Sequence, residues 1–307
     1  KKIMKKSNWT GKNGPLLIAE VGGNHEGDFT IAKKLVKLAI NSGVDIVKLQ
    51  LYTGPNLVSP FESKSRYKHF KKFELSKKQH IYLADMCKSL NVKYLASIWD
   101  LTMLEWIDDY LDYYKIGSGD LTAYPIIKEF ASRGKPIILS TGLSNISEIK
   151  ESIKFIQKEN PIYNSKEFLA ILQCTSTYPT NDHEINLQTI QTLKSETKMT
   201  VGYSDHSIGD MALRVAFACG AQVMEFHFTD SRKKKTFRDH KISLTPKEVK
   251  SLILDIKKIR KLLGDKEKKP TMSEIETDHI TSFRRAIYSN KFLKAGHVLT
   301  EKDLVFL

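Results

Sequence analysis

The sequence has few cysteines and no long uninterrupted apolar run. Three cysteines, Cys87, Cys174 and Cys219, occur among 307 residues without a paired spacing, so they exclude a disulfide framework and we expect them to be reduced core residues. No stretch reaches the roughly 18 apolar residues that a membrane-spanning helix needs. The basic start "KKIMKKSNWTGKNG" is not followed by the apolar segment of a secretory signal. We therefore expect a cytoplasmic protein without a membrane partner.

Acidic residues are also scarce relative to basic ones, 35 against 49, which gives a net charge of +14. Most lysines fall between apolar positions in segments such as "IAKKLVKLAI", a pattern typical of a solvated helix face. Only "SRKKKTFRDH" is a compact basic cluster, and it lacks the interleaved aromatic residues that stack on single-stranded nucleic acid. The composition disfavours a nucleic-acid partner and favours the steering of small anionic substrates.

Strand-like apolar runs alternate with amphipathic helical patterns along most of the chain. The predicted strands cover residues 15–21, 44–51, 92–98, 112–118, 136–140, 168–174, 199–203 and 222–228. Apolar strands that alternate with helices indicate a parallel sheet covered on both faces. Eight consecutive units ending near residue 263 predict an α/β fold of the (β/α)8 TIM barrel type rather than an open doubly wound sheet.

A polar and charged stretch follows the predicted barrel, which we place at residues 1–263. It contains "GDKEKKPTMSEIETDH" and predicts a linker over residues 264–281. Residues 282–307 resume strand-like character, but about 26 residues are too few for an independent core. We expect this segment to be the beginning of a second, incomplete module.

Two lysines, Lys48 and Lys115, interrupt apolar strands near their carboxyl ends. Burying an ammonium group is costly without an anionic partner, so we predict that at least one of them binds an anionic ligand rather than a structural carboxylate. "KIGSG" (115–119) and "LSTG" (139–142) supply small residues whose backbone amides can approach a phosphate group. Because TIM barrels carry their chemistry at the carboxyl ends of the strands, a phosphate site is predicted there.

Other polar side chains stand at the same predicted end of the barrel. They include Glu20, Gln50, Ser97, Ser118, Ser140, Ser176, Tyr178, Ser204 and Glu225. His25 in "GGNHEGD" is a further candidate for a substrate or supporting contact. Asp239 and His240 in "FRDHKISLTP" could fold over the same end, and the alternative for them is a solvent-exposed loop.

His206, in "YSDHSIGD" (203–210), and His227 end the seventh and eighth predicted strands. Neighbouring imidazoles could hold a divalent cation such as Mn²⁺ and leave coordination positions open for substrate oxygens. A catalytic or purely structural histidine pair would look the same in the sequence.

Taken in order, the strand-end motifs resemble those of the sialic acid synthase (N-acylneuraminate or nonulosonate synthase) family. These motifs are "IAEVGGNHEGD", "VKLQ", "YKIGSGD", "PIILSTG", "CTSTYPT", "GYSDHSIG", "FHFTD" and "RDHKISL". The match covers residues 15–263, and "FRRAIYSNKFLKAGHVLTEKDL" resembles the opening of the antifreeze-like (SAF) module of these enzymes.

The resemblance implies that phosphoenolpyruvate condenses with an N-acylated amino sugar, N-acetylmannosamine or a bis-acetamido hexose. The products would be a nine-carbon 2-keto acid and phosphate, made by a homodimer. His206 and His227 would hold the metal, Mn²⁺ with Mg²⁺ or Co²⁺ as alternatives. The implied phosphoenolpyruvate contacts are Lys48, Ser97, Lys115, Ser118, Ser140 and Ser204. The implied contacts to the sugar, or to the water beside the metal, are Glu20, Gln50, Tyr178 and Asp239. The resemblance assigns catalytic roles to Glu20, Lys115, His206 and His227.

The chain also departs from the family pattern. Ser176 stands where asparagine is usual, so one phosphoenolpyruvate contact is shortened or replaced by water. The family's SAF module supplies an arginine to the partner's sugar site, and Arg284 and Arg285 come too early to be that residue. Three alternatives stay open: a condensing enzyme for phosphorylated sugars, which would need more arginines, a Schiff-base aldolase using Lys115, and an inactive sugar- or nucleic-acid-binding relative.

Overall fold

The structure, a computed structural model, describes residues 7–307, which form one compact unit ending at Leu263 and another spanning Gly264–Leu307. The first unit is a closed barrel of parallel strands. They are β1 Gly14–Glu20, β2 Ile46–Leu51, β3 Lys93–Ile98, β4 Tyr114–Ile116, β5 Ile137–Ser140, β6 Leu169–Cys174, β7 Thr200–Asp205 and β8 Val223–His227. Each strand pairs with the next, and β8 pairs with β1 so that His227 lies opposite Glu20. The predicted (β/α)8 TIM barrel is confirmed.

Helices cover the outer face of the barrel. The longer ones are Phe29–Asn41, Lys64–Phe73, Lys77–Ser89, Tyr124–Arg133, Ile146–Glu159, Thr189–Thr197, Met211–Ala218 and Pro246–Leu263, and the four-residue ones are Gly54–Leu57, Leu104–Ile107 and Asp239–Ile242. The side chain of Asp28 begins the first of them by accepting hydrogen bonds from the amides of Thr30 and Ile31, at 2.7 and 3.1 Å. Asn145 caps Ile146–Glu159 in the same way, with Glu148 completing a capping box.

Two apolar clusters stabilise the barrel. One lies between the sheet and the helices, and the other fills the inside of the barrel toward the amino-terminal ends of the strands. The inner cluster consists of Trp9, Leu16, Ile18, Ile46, Leu95, Tyr113, Ile138, Ala170, Leu172 and Val223. The rings of Trp9 and Tyr113 pack at an interplanar angle of 39° with their centroids 5.8 Å apart. Because this end of the barrel is filled with apolar side chains, polar groups gather at the carboxyl ends of the strands.

The observed strand bounds differ from the predicted ones at two places that matter for the site. β7 continues to Asp205, two residues beyond the predicted end, so Ser204 and Asp205 belong to the strand and His206 follows it. β4 is shorter than predicted, and Ser118–Asp120 form a 3-10 turn instead of its end.

The second unit is small and mostly exposed. It contains the helices Met272–Glu276 and His279–Ser282 and an antiparallel pair of strands, Ile287–Ser289 with Leu304–Phe306. The predicted linker over 264–281 therefore includes helical turns. Across both units, no helix within residues 7–307 combines the length and the apolar character needed to cross a bilayer.

Candidate active site

A cavity of about 490 Å³ opens at the carboxyl ends of the barrel strands. Thirteen of the sixteen candidate residues line it. They are Glu20, Lys48, Gln50, Ser97, Lys115, Ser118, Ser140, Ser176, Tyr178, Ser204, His206, Glu225 and His227. Side chains that are distant in sequence thus meet because the parallel strands all end at the same edge.

Lys48 lies in a network of buried polar groups. Its Nζ forms an ion pair with the carboxylate of Glu20, lies 3.6 Å from Glu225 Oε1 and donates a hydrogen bond to Ser97 Oγ at 3.3 Å. The residue is only 5% exposed. Burial alone would lower the pKa of Lys48, but Glu20 and Glu225 outweigh that effect and raise it. The ammonium group is therefore charged although it is removed from water.

Lys115 lies in a different environment on the other side of Glu225. Its Nζ donates to Ser140 Oγ at 2.7 Å and to the Ile116 carbonyl at 3.2 Å, and it is 3.8 Å from Glu225 Oε1. Burial lowers the pKa of Lys115. No carboxylate lies close enough to offset this effect in the way that Glu20 does for Lys48. The two lysines thus differ in how completely the protein balances their charge.

Glu225 connects the two lysines. Its Oε1 also accepts a hydrogen bond from Ser204 Oγ at 3.1 Å. Burial opposes its ionisation, but Lys115 and Lys48 hold the pKa of Glu225 below the ordinary value. At Glu20 burial outweighs the nearby Lys48, so the pKa of Glu20 is raised. Among the residues that the structure describes, Glu20 Oε1 and Glu225 Oε2 have no hydrogen-bond partner, so both oxygens can accept from a ligand.

The two glycine- and serine-rich turns meet beside the lysines. The amide of Gly142, in "LSTG", donates to the Oγ of Ser118, in "KIGSG", at 3.0 Å. A Cβ atom at Gly142 would lie 2.5 Å from Ser176 Oγ and 2.8 Å from Ser118 Oγ, so only glycine allows this approach. The predicted convergence of the two turns on one edge is observed.

The imidazoles of His206 and His227 are neighbours, with centroids 5.4 Å apart and planes inclined at 56°, and the ring of Tyr178 lies 4.1 Å from that of His206. His206 Nδ1 is 2.7 Å from the Thr175 carbonyl, which can only accept, so Nδ1 carries a proton. Burial alone would lower the pKa of His206, but the neighbouring Cys174 and the Thr175 carbonyl outweigh that effect and raise it. Burial and the neighbouring His206 lower the pKa of His227 well below the ordinary value, so this ring is neutral.

This pair fits the donor set of a divalent cation. Buried His227 Nδ1 has no hydrogen-bond partner among residues 7–307, and its nearest carboxylate oxygen, Asp239 Oδ2, is 3.9 Å away. No group of three or more His, Cys, Asp or Glu side chains in the described part of the chain could hold a metal on its own. An ion held by the two imidazoles would therefore complete its coordination with oxygens from ligand or water.

Three of the candidates lie outside the cavity. Asp239 is buried next to His227, accepts from Arg238 Nε at 3.0 Å and does not line the cavity. His25 Nδ1 accepts from the Gly27 amide at 3.0 Å. His240 is neither at the cavity nor in a solvent-exposed loop, because it is buried between Thr229 Oγ1 and Glu26 Oε1, at 2.7 and 3.2 Å.

Six further residues line the cavity although they were not among the candidates: Arg66, Trp99, Asp120, Leu143, Cys174 and Arg238. Trp99 Nε1 donates to Asp120 Oδ2 at 3.0 Å, and the guanidinium of Arg238 lies 4.7 Å from the Tyr178 ring centroid. Arg66 belongs to a helix inside a long connection without clear periodicity. Arg238 directly precedes Asp239 in "RDHKISL", and this position is the signal in the sequence that points to it, although it also belongs to the basic cluster "SRKKKTFRDH".

Comparison with known proteins identifies the family. The NeuB family model matches residues 35–268. The chain is 37% identical over 302 residues to the N,N'-diacetyllegionaminic acid synthase of Campylobacter jejuni, covering 94% of this chain and 89% of that protein. It is 33% identical over 306 residues to the protein of the same name from Legionella pneumophila, covering 95% and 84%. The structure resembles that of an N-acetylneuraminic acid (sialic acid) synthetase from Leptospira borgpetersenii with a TM-score of 0.79 and 32% identity, covering 87% of this chain and 92% of the other. As its motifs predicted, the chain belongs to the NeuB family of sialic acid synthase relatives.

Proposed function

We propose that this chain is a nonulosonic acid synthase that condenses phosphoenolpyruvate with an N-acylated amino sugar and water. The products are a nine-carbon 2-keto acid and phosphate. The observation that carries the proposal is the meeting of two buried lysines, Lys48 and Lys115, with the histidine pair of His206 and His227 in one cavity. The lysines suit the phosphate and carboxylate of phosphoenolpyruvate, and the imidazoles suit a cation beside the sugar.

Serine hydroxyls assist the lysines in binding phosphoenolpyruvate. Ser97 Oγ accepts from Lys48 and Ser140 Oγ accepts from Lys115, so each hydroxyl proton remains available to a ligand oxygen. Ser118 Oγ likewise accepts from Gly142 and can donate to the phosphate. Hydrogen bonds from donors held in place in a buried site stabilise an anion more strongly than they do in water.

The metal in this proposal is Mn²⁺, held by Nε2 of His206 and by His227. When bound, it would act as a Lewis acid on the aldehyde oxygen of the sugar. The Thr175 carbonyl holds a proton on Nδ1 of His206, which leaves Nε2 as its coordinating atom, and the low pKa of His227 means that this ring does not have to lose a proton before it coordinates.

In the proposed reaction, C3 of phosphoenolpyruvate forms a bond to the aldehyde carbon, and the aldehyde oxygen takes up a proton and becomes a hydroxyl. Water adds at C2, and phosphate leaves with its bridging oxygen as the C–O bond breaks. One water is consumed and one phosphate is released. Glu20 lines the cavity and has a pKa raised by burial, so it is our candidate for moving a proton at the sugar oxygen or the water.

The preferred acceptor in this proposal is a bis-acetamido hexose, because both curated relatives described above are named N,N'-diacetyllegionaminic acid synthases. N-acetylmannosamine is the alternative within the same class. The resemblance to sialic acid synthases further supports a cytoplasmic homodimer in which residues 282–307 open a SAF module.

A second candidate is condensation with a phosphorylated sugar. It is favoured by Arg66 and Arg238, which place two guanidinium groups in the wall of the cavity. Guanidinium groups bind phosphate bidentately and are common at phosphate sites. In this case the sugar phosphate would lie toward these arginines and the phosphoenolpyruvate toward the lysines.

The test is phosphate release from phosphoenolpyruvate with a panel of acceptors, measured with Mn²⁺ and after chelation. The panel contains bis-acetamido hexoses, N-acetylmannosamine and its 6-phosphate. We expect metal-dependent release with one of the unphosphorylated sugars, whereas a strong preference for the 6-phosphate would select the second candidate. No release with any sugar in the presence of metal would contradict both.

Variants locate the reaction in this cavity. His206→Ala should lower the metal-stimulated rate by about 100-fold or more, because one of two protein ligands is lost. His183→Ala, at an exposed position, is the matched control and should leave the rate unchanged. Circular dichroism should show both variants folded. An unchanged rate in His206→Ala would remove this residue from the mechanism.

A further inference from the structure

A second cavity, of about 710 Å³, lies at the amino-terminal end of the same barrel. Its wall is formed by the amino-terminal segment, by residues just before β6 and by the residues that begin β7 and precede β8. These include Trp9, Glu167, Thr200 and Gln222. The cavity shares no lining residue with the candidate active site, which lies at the opposite ends of the strands.

The walls of this amino-terminal cavity carry an excess of positive charge. The basic residues that line it are Lys12, Lys166, Lys194, Lys198 and Arg260. The acidic side chain in the wall is Glu167, whose Oε2 already accepts from Ser7 Oγ at 2.6 Å and from the Asn8 amide at 3.3 Å. Over residues 7–307, none of the five cationic groups has a carboxylate oxygen within 4 Å. Five positive charges against one negative charge leave a net charge of +4 around one space, which favours an anion there.

The backbone holds some of these cations in place. Gly14 has a φ of +125°, and a Cβ atom there would lie 1.5 Å from Arg260 Nη2, so the guanidinium occupies the space that a side chain would fill. Arg260 Nη2 also donates to the Asn13 carbonyl at 3.4 Å, and Lys12 Nζ donates to the Asn91 carbonyl at 3.0 Å. These contacts orient the groups without neutralising their charge.

The cavity also has an apolar part. Trp9, Met199, Val201 and Phe217 contribute to its wall beside the cations. Its volume lies within the range of roughly 300 to 1,000 Å³ that is typical of small-molecule sites. An apolar wall next to unpaired cations suits a ligand that has an organic part as well as its charges.

We propose that this amino-terminal cavity binds a small organic polyanion of nucleotide size that carries a phosphate or diphosphate group. The anionic part contacts the five cations, and the organic part lies against the apolar wall. The site is separate from the reaction described above and does not depend on it. It gives the barrel a ligand site at each end.

The test measures binding to the full chain by titration calorimetry without phosphoenolpyruvate or sugar. Phosphoenolpyruvate is left out because it is itself a small organic phosphate that this cavity could bind. The probes are adenosine diphosphate, inorganic pyrophosphate and adenosine. We expect the diphosphate nucleotide to bind at one site, pyrophosphate to bind more weakly because it lacks an organic part, and adenosine not to bind. Pyrophosphate binding as tightly as the nucleotide would overturn the proposed apolar contact, and binding of adenosine would overturn the anion site.

Charge reversal locates the site. Lys194→Glu combined with Lys198→Glu should weaken nucleotide binding by about tenfold or more, because two nearby attractive charges become repulsive. The matched control combines Lys154→Glu with Lys250→Glu, which changes the net charge equally at exposed positions outside the cavity. The control should stay within about twofold of the native affinity, since distant surface charges are screened by salt. Equal weakening in both variants, or no nucleotide binding to the native chain, would overturn the proposal.

Discussion

Lys48 and Lys115 show how neighbouring buried residues of one type can have different properties. Glu20 forms an ion pair with Lys48, and its presence raises the pKa of Lys48, whereas Lys115 has Glu225 Oε1 at 3.8 Å and a lowered pKa. Lys115 is therefore the lysine whose charge the protein balances less completely. In the proposed function, an anionic substrate supplies the missing negative charge.

Replacing Lys48 should destabilise the fold in a pH-dependent way. Lys48→Met leaves Glu20 buried without its ion-pair partner, and breaking a buried pair costs about 3 to 5 kcal/mol. Burial already raises the pKa of Glu20 in the native chain, and loss of Lys48 raises it further. The folded variant then binds more protons than the unfolded chain above the ordinary glutamate pKa, so its stability recovers as the pH falls.

Urea denaturation at about pH 8 and about pH 5 checks this prediction, since the loss of free energy of unfolding relative to the native chain should be smaller at the lower pH. Lys128→Met is the matched control, because Lys128 is an exposed lysine 4.0 Å from Glu159. Its loss should be below about 1 kcal/mol at both values. An equal loss in Lys48→Met at both pH values would contradict the account.

Single residues of the site could be predicted where their sequence context was unusual. Lys48, Lys115, His206 and His227 interrupt or end apolar strands, and the structure brings all four to one cavity. Trp99 could not be selected in this way, because an aromatic residue just after a strand is common in any core. Whether an imidazole is neutral depends on burial and neighbouring groups, which a sequence does not contain.

Among the elements, β7 contributes Ser204 to the cavity, and His206 directly follows its end at Asp205. It continues beyond its apolar residues because Cys174 pairs with Ser204 and Phe226 pairs with Asp205 on its two sides. Asp205 Oδ1 also accepts from the hydroxyl of Tyr203 at 2.9 Å. The apolar pattern of the sequence ends before Ser204. The continued pairing of Ser204 and Asp205 with the neighbouring strands therefore cannot be predicted from that pattern.

Gly202 in β7 should not tolerate a side chain. A Cβ atom there would lie 2.3 Å from the Val223 carbonyl oxygen and 2.5 Å from Leu172 Cδ2, so Gly202→Ala must push β7 away from its neighbours. We expect a loss of about 1 to 3 kcal/mol in the free energy of unfolding, and a lower rate of phosphate release because His206 moves with the strand. Gly119→Ala is the control for stability, since nothing lies within 4 Å of its Cβ position. An unchanged melting temperature in Gly202→Ala would contradict this packing.

At the scale of the whole molecule, the barrel could be predicted because its signal is spread over eight repeats, so errors at single strand ends did not change the count. The amino-terminal cavity could not be predicted. Lys12, Lys166 and Arg260 come from three distant segments, and each looks like an ordinary surface residue in its own context. Closure of the barrel brings them together, and no local pattern contains that information.

The first unit should fold without residues 264–307. Both apolar clusters lie between Trp9 and Ile256, and Asp303 is the one buried residue identified in the second unit. A chain ending at Leu263 should therefore keep its circular dichroism spectrum and melt within about 3 °C of the full chain. A melting temperature lower by more than about 10 °C would show that the barrel depends on the second unit.

The positions of Trp9 and Trp99 give the two cavities separate optical reporters. Trp9 is in the wall of the amino-terminal cavity and Trp99 in that of the candidate active site, and the remaining indole, Trp106, lines neither. Variants that keep one of these two indoles would emit fluorescence from one end of the barrel alone. Quenching or a wavelength shift could then assign each ligand to its end of the molecule without a label.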